Sequence, residues 1–192
     1  MTLALVLVAA YLLGSIPTSY IVVYRYTGRD IRTMGTRNPG TMNVLDTLGF
    51  GPAAIVGAGD IAKGMAAVSV AYLAGLGDAE AVMAAMVAVL GHDYSLFLRL
   101  HGGNGMAAAV GGFAALLPAA TTVAVLIAVA VLLTLGSRRI AGVAGLAALP
   151  GFAYWLGAPD AKLIGVFVLL LITVIKIFRS EGFLPARVRS DR

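Results

Sequence analysis

The sequence predicts an all-α, polytopic integral membrane bundle of about seven transmembrane helices, on three observations. Of 192 residues, 60% are hydrophobic and only 12% are charged, against roughly a quarter charged in an ordinary soluble domain. A chain this short has too little interior to hide so much apolar surface from water. The apolar residues fall in runs close to the ~20 residues that cross hydrocarbon, and the basic residues gather in alternate connections between those runs.

Residues 3–24 form the first span, interrupted at Gly14-Ser15-Ile16-Pro17. No Lys or Arg precedes it, so it lacks the basic n-region of a signal peptide and reads as a retained span. Pro17 is expected to kink it, with a neighbouring helix satisfying the freed carbonyl. The second span covers residues 52–76, carries Asp60 and Lys63 inside it, and ends in the turn Gly77-Asp78. The third covers residues 79–98 and leads to Arg99. After Gly102-Gly103-Asn104-Gly105 the fourth apolar segment stops at Leu117, before Pro118. That is short for about 30 Å of hydrocarbon, so it is expected to begin within a protein-lined re-entrant loop. Spans over 119–135, 140–156 and 162–178 complete a single membrane domain, residues 1–192.

Placing the loop at 25–50 in the cytoplasm puts Arg99, Arg138, Arg139 and the basic carboxyl tail on the same side. Gly77-Asp78, Pro118 and Pro159-Asp160 then lie outside, with the amino terminus outside and the carboxyl terminus cytoplasmic. Dropping the short fourth segment would put Arg138 and Arg139 on the wrong side. The net charge of +5 therefore reads as loop bias, and no nucleic-acid partner is expected. Without cysteine there is no disulfide, thiolate zinc site or cysteine nucleophile, and the two histidines lack metal-ligand spacing.

Three groups of polar residues are not explained by lipid. The first loop offers glycine amides, hydroxyls and carboxamides from Gly35 to Asn43, a donor set suited to a phosphate or polyol, or to an ordinary turn. Gly91-His92-Asp93 and the glycine-rich stretch at 102–105 bracket the inner end of the third span. Asp60 and Lys63, three apart on one helix face, suit a packing pair or an ion pathway. A transporter would need ionisable residues continuing across the membrane, and they do not continue.

The order and spacing of Gly14-Ser15-Ile16-Pro17, the loop at 35–43, Asp60-Ile61-Ala62-Lys63-Gly64, Gly91-His92 and Gly102-Gly103-Asn104-Gly105 resemble the bacterial acyl-phosphate:glycerol-3-phosphate acyltransferases of the PlsY type. The resemblance implies a seven-helix enzyme of phospholipid biosynthesis in the cell membrane. Its site would face the cytoplasm and move a fatty acyl group from acyl phosphate to the 1-hydroxyl of glycerol 3-phosphate, with no metal or cofactor. It assigns Thr36, Asn38 and Asn43 as catalytic residues, with Gly40 beside glycerol phosphate. Gly102, Gly103 and Gly105 would donate backbone amides to the acyl phosphate, with Asn104 in the site, His92 orienting, and Asp60 and Lys63 as support.

Thr36, Arg37 and Met42 stand where the family loop has serine, glycine and threonine. Asp46 stands where it has arginine, Asn104 where it has lysine, and Arg179-Ser180-Glu181-Gly182 where it has a His-x-x-Asn motif. Arg37, Arg138, Arg139 and Arg179 are the candidate cations to compensate, since a guanidinium can grip phosphate with two bonds. A homologue without turnover or with an altered substrate, binding lipid or phosphate on the same scaffold, is the alternative use.

Overall fold

The computed structural model describes residues 1–181, with side chains for all of these except residues 139 and 177–181. The helices are α1 (Thr2–Ser15), α2 (Thr18–Thr27), α3 (Thr41–Leu48), α4 (Phe50–Leu73), α5 (Asp78–Asp93), α6 (Met106–Leu116), α7 (Pro118–Leu135), α8 (Arg138–Trp155) and α9 (Asp160–Glu181). Short 3₁₀ turns at Ile31–Thr33 and Leu96–Leu98 complete the regular structure, and the described residues include no strand. Helix α3 lies inside what the sequence reads as a plain loop.

The first span is broken rather than kinked. Ile16 is extended (ψ 117°) and Pro17 has ψ 71°, so the chain leaves the helix for two residues. Proline lacks an N–H and disfavours helix at the residue before it, and both effects act here. The freed Ile16 carbonyl accepts Lys63 Nζ from α4 at 3.0 Å, so a neighbouring helix does satisfy it. At 1.5 Å per residue the 11-residue α6 is about 16 Å long, roughly half a hydrocarbon crossing, and it starts at the end of the glycine-rich loop.

Among the described residues, four stretches are long and apolar enough to cross a membrane: Thr2–Thr27, Phe50–Leu73, Asp78–Leu98 and Pro118–Leu135. Their burial pattern fits a lipid surround. Alanine is the commonest residue in the main core, while Leu73, Leu133, Trp155 and Phe167 point outward. Lipid gives no hydrophobic force between helices, so small residues that allow close backbone approach hold the bundle. A Cβ on Gly14 would collide with the Ala88 carbonyl, which brings α1 against α5. Gly64 and Gly111 make the equivalent approach between α4 and α6.

Helix α5 sits among α1, α4, α6 and α9. A smaller core of Val23, Ile31, Val44, Ala53 and Val56 fastens α2, the first loop and α3 onto α4. The two cores place the α1–α2 break, the first loop, the carboxyl end of α5 and the start of α6 at one end of the bundle.

Candidate active site

The first loop is built around one buried side chain. Asn43, 1% exposed, takes the Thr36 N–H on Oδ1 at 3.0 Å and donates Nδ2 to the carbonyls of Met34 (3.1 Å) and Asn38 (3.0 Å). Its polar atoms thus face the loop backbone from behind. Asn43, expected to be catalytic, has its amide engaged by the loop backbone. Ser19 Oγ ties the Pro39 carbonyl to α2 at 2.9 Å, and the Gly40 amide closes on the Asn38 carbonyl at 2.9 Å. Arg37 has φ +64°, a left-handed backbone that glycine adopts freely and an arginine does not.

Arg32 joins this loop to the one after α5. Its Nη2 and Nε meet Asp30 Oδ2 at 2.7 and 3.0 Å, while Nη1 donates to the Leu98 carbonyl at 3.1 Å. The guanidinium's hydrogen bonds hold the Asp30 carboxyl below the usual carboxylate range, and Asp30 raises Arg32 in return.

The second loop folds back on α5. Gly102 N–H donates to the Asp93 carbonyl and Gly103 N–H to the His92 carbonyl, each at 3.1 Å. These bonds cap carbonyls that a helix end leaves open. The Gly102 and Gly103 amides, expected to donate to a phosphate, here donate to these backbone carbonyls. Glycine is needed there for space, because a Cβ on Gly102 would strike the His92 carbonyl and one on Gly103 the imidazole. Gly105, at φ +67°, caps α6 against the Asp93 carboxylate.

Beneath the glycines lies a buried polar cluster. Asp60 Oδ1 is 2.9 Å from Lys63 Nζ, accepts the Thr18 hydroxyl at 2.7 Å, and stands 3.6 Å from His92 Nδ1. The cluster pins the α1–α2 break to α4 and backs the loop through His92. Asp60 and Lys63 lie within this cluster, and His92 stands one layer behind the cleft.

Between the loops opens a cleft of about 1080 Å³. One wall carries Thr36, Arg37, Asn38 and Pro39; the other carries Tyr94, Arg99, His101, Gly102 and Asn104. Asp30, Arg32, Leu100 and Lys176 complete it, so among the described residues four cations face one carboxylate. The Thr36 hydroxyl donates to nothing among the described residues and is exposed to the cleft. Arg32 also borders a second cavity of about 490 Å³, otherwise lined by Ile16, Pro17, Tyr20, Ile21, Phe97 and Leu98. A cationic cleft thus adjoins an apolar groove at the end of a lipid-suited bundle.

Residues 4–182 match the glycerol-3-phosphate acyltransferase family. The chain belongs to that family. Glycerol-3-phosphate acyltransferase 1 of Dehalococcoides mccartyi is 39% identical over 88% of this chain and 84% of its own length. Glycerol-3-phosphate acyltransferase 2 of Moorella thermoacetica is 41% identical over 73% of this chain and 74% of its own. A crystal structure of PlsY, an integral membrane glycerol 3-phosphate acyltransferase, in its glycerol 3-phosphate form superposes with a TM-score of 0.86. At 24% identity over 95% of this chain and 91% of that one, it shows the shared fold.

Within this family member, the structure brings Thr36, Arg37, Asn38, Gly102 and Asn104 onto one cleft. Gly40, Asn43, His92, Gly103 and Gly105 stand behind it. Arg138 does not join them: its Nη1 meets Asp46 Oδ1 at 2.9 Å on the outside, each side chain about half exposed. Its partner is a carboxylate 92 residues away in sequence. The side chains of Arg139 and Arg179 lie outside the described ones.

Sequence reading missed Asp30, Arg32, Tyr94, Arg99, His101 and Lys176 as cleft residues. For Lys176 a signal was present. It lies inside the apolar run 162–178, where an ionisable residue is by default a functional candidate.

Proposed function

We propose that the protein transfers a fatty acyl group from acyl phosphate to the 1-hydroxyl of glycerol 3-phosphate, giving lysophosphatidate and inorganic phosphate. The observation that carries this reading is the cleft itself, with four cations around it and an apolar groove meeting it at Arg32. An acyl phosphate brings a chain for the groove and an anion for the cleft, and glycerol phosphate brings a second anion from water. The acyl–phosphate anhydride is already activated. The acceptor hydroxyl adds to the acyl carbon, the bond from that carbon to the phosphate oxygen breaks, and the hydroxyl proton leaves on a phosphate oxygen. The protein's task is alignment and charge stabilisation, and alignment alone is worth about 7–11 kcal/mol. Thr36 and Asn38 supply neutral hydrogen-bonding groups, the arginines supply charge, and Asn43 holds the loop.

The chain is placed as one domain in the cell membrane with seven crossings, counting α1 and α2 as one. The amino terminus is outside and the cleft faces the cytoplasm, in keeping with the bias of basic residues. The test is purified protein in detergent with palmitoyl phosphate and glycerol 3-phosphate, scored for lysophosphatidate beside Thr36→Ala. Product formation that falls in the variant supports the reading. No product in any detergent or lipid favours a binding protein, and uptake of glycerol 3-phosphate into proteoliposomes without consumption of acyl phosphate favours a transporter.

A further inference from the structure

Lys176 is a charge on an otherwise apolar helix. From Val166 to Ile175 helix α9 has no ionisable residue, and buried Val166, Leu169 and Thr173 seat it in the bundle. Lys176, one turn beyond Thr173, reaches the cleft. Its Nζ donates to the Asp93 carbonyl at 3.1 Å, at the carboxyl end of α5, and sits 4.2 Å from the Tyr94 ring centroid. Helix-end carbonyls and a ring face both attract a cation while leaving it a net charge. No carboxylate oxygen of the described residues lies within 4.0 Å of it. An ammonium has three donors, and only one is committed to a described residue. Arg32, by contrast, is clamped by Asp30 and the Leu98 carbonyl.

A second observation points to a ligand. Asn104, 9% exposed and on the same cleft, has a side-chain oxygen with no hydrogen-bond partner among the described residues. A buried acceptor left open calls for a donor such as a hydroxyl. A positioned cation and an open acceptor in one cleft suit a polyol phosphate monoester.

We propose that Lys176 is the residue that binds the phosphate of the acceptor substrate, with Asn104 accepting a hydrogen bond from one of its hydroxyls. This rests on the acyl-transfer reading. The acceptor is favoured over the donor because Arg32 alone among the described cations borders both cleft and groove, so the phosphate that carries a chain belongs beside Arg32. Lys176 borders only the cleft and serves the phosphate that carries none.

The test uses the full chain in detergent, with glycerol 3-phosphate and palmitoyl phosphate varied separately. Lys176→Met should raise KM for glycerol 3-phosphate roughly tenfold or more, the scale of one lost charge-assisted hydrogen bond. KM for palmitoyl phosphate should stay within about twofold, and Lys176→Arg should recover most of the loss. An unchanged KM for glycerol 3-phosphate, or a rise confined to palmitoyl phosphate, overturns the proposal. If the wild type makes no lysophosphatidate, the acyl-transfer reading falls separately. Inorganic phosphate then probes the cation alone: it should raise the melting temperature of the wild type and not of Lys176→Met, and an equal rise in both overturns the proposal.

Discussion

Replacing Lys63 with methionine isolates a buried carboxylate. The Asp60 and Lys63 side chains are 2% and 5% exposed and 2.9 Å apart on one face of α4. Methionine keeps the length of the lysine stem, so little volume is lost. What disappears is the charge partner of Asp60 and the bond from Nζ to the Ile16 carbonyl at 3.0 Å. Breaking a buried pair from one side costs about 3–5 kcal/mol, because an uncompensated charge stays behind. For a chain of this length, each kcal/mol moves the melting temperature by about 2–4 °C, so the expected fall is on the order of 10 °C. Thermal unfolding in detergent, followed by tryptophan fluorescence, measures it. The double variant Asp60→Leu with Lys63→Met removes both charges, and Thr18 Oγ1, already 3.4 Å from the Ile16 carbonyl, can turn to it. The double variant should therefore melt above the single one. A Lys63→Met protein within about 2 °C of wild type, or a double variant that melts below the single, would refute the claim that this charge pair fastens the α1–α2 break to α4.

Asn43→Ala should leave the Thr36 N–H and the Met34 and Asn38 carbonyls without their partner, at about 1–3 kcal/mol for each group kept from water. It should reduce kcat more than either KM, which steady-state kinetics will read. Arg37→Gly should raise stability by about 1 kcal/mol by relieving the left-handed backbone, while weakening phosphate binding if the guanidinium grips substrate; melting and inhibition by inorganic phosphate separate the two effects. The Asp30–Arg32 pair predicts a pH dependence. Because folding lowers the Asp30 pKa, its stabilisation is full above the ordinary aspartate range and disappears as pH falls through the lowered value. Wild type should thus melt above Asp30→Asn at pH 6, by the small margin of a part-exposed pair worth about 0.5–1 kcal/mol, and the two should converge in strong acid.

Much of the architecture is legible locally because lipid imposes strong rules. Each helix satisfies its own backbone, so apolar runs mark α4, α7, α8 and α9 nearly to their ends. Pro17 marks the break in the first span, although propensity alone does not say whether a bundle will bend or interrupt that helix. Helix α3 was not legible, since its eight residues are too few for periodicity to stand out from loop composition. Within the site, Thr36, Asn38 and Asn104 could be named from motif order. Their division into residues that face the cleft and residues that stand behind it could not. Asn43 and Asn38 look alike in sequence; only packing shows that one amide is wholly engaged by the loop.

By itself the sequence determined the solvent of the protein, its helical class, its family and the loops that hold its polar groups. Those properties follow from composition and short-range order. The tertiary structure decided which charges remain available. Arg138 is paired with Asp46 and Lys63 with Asp60, while Lys176, distant in sequence from both loops, arrives at the cleft on the last helix. The physical reason is that a charge's role depends on the nearest opposite charge and on its burial, and chain folding sets both.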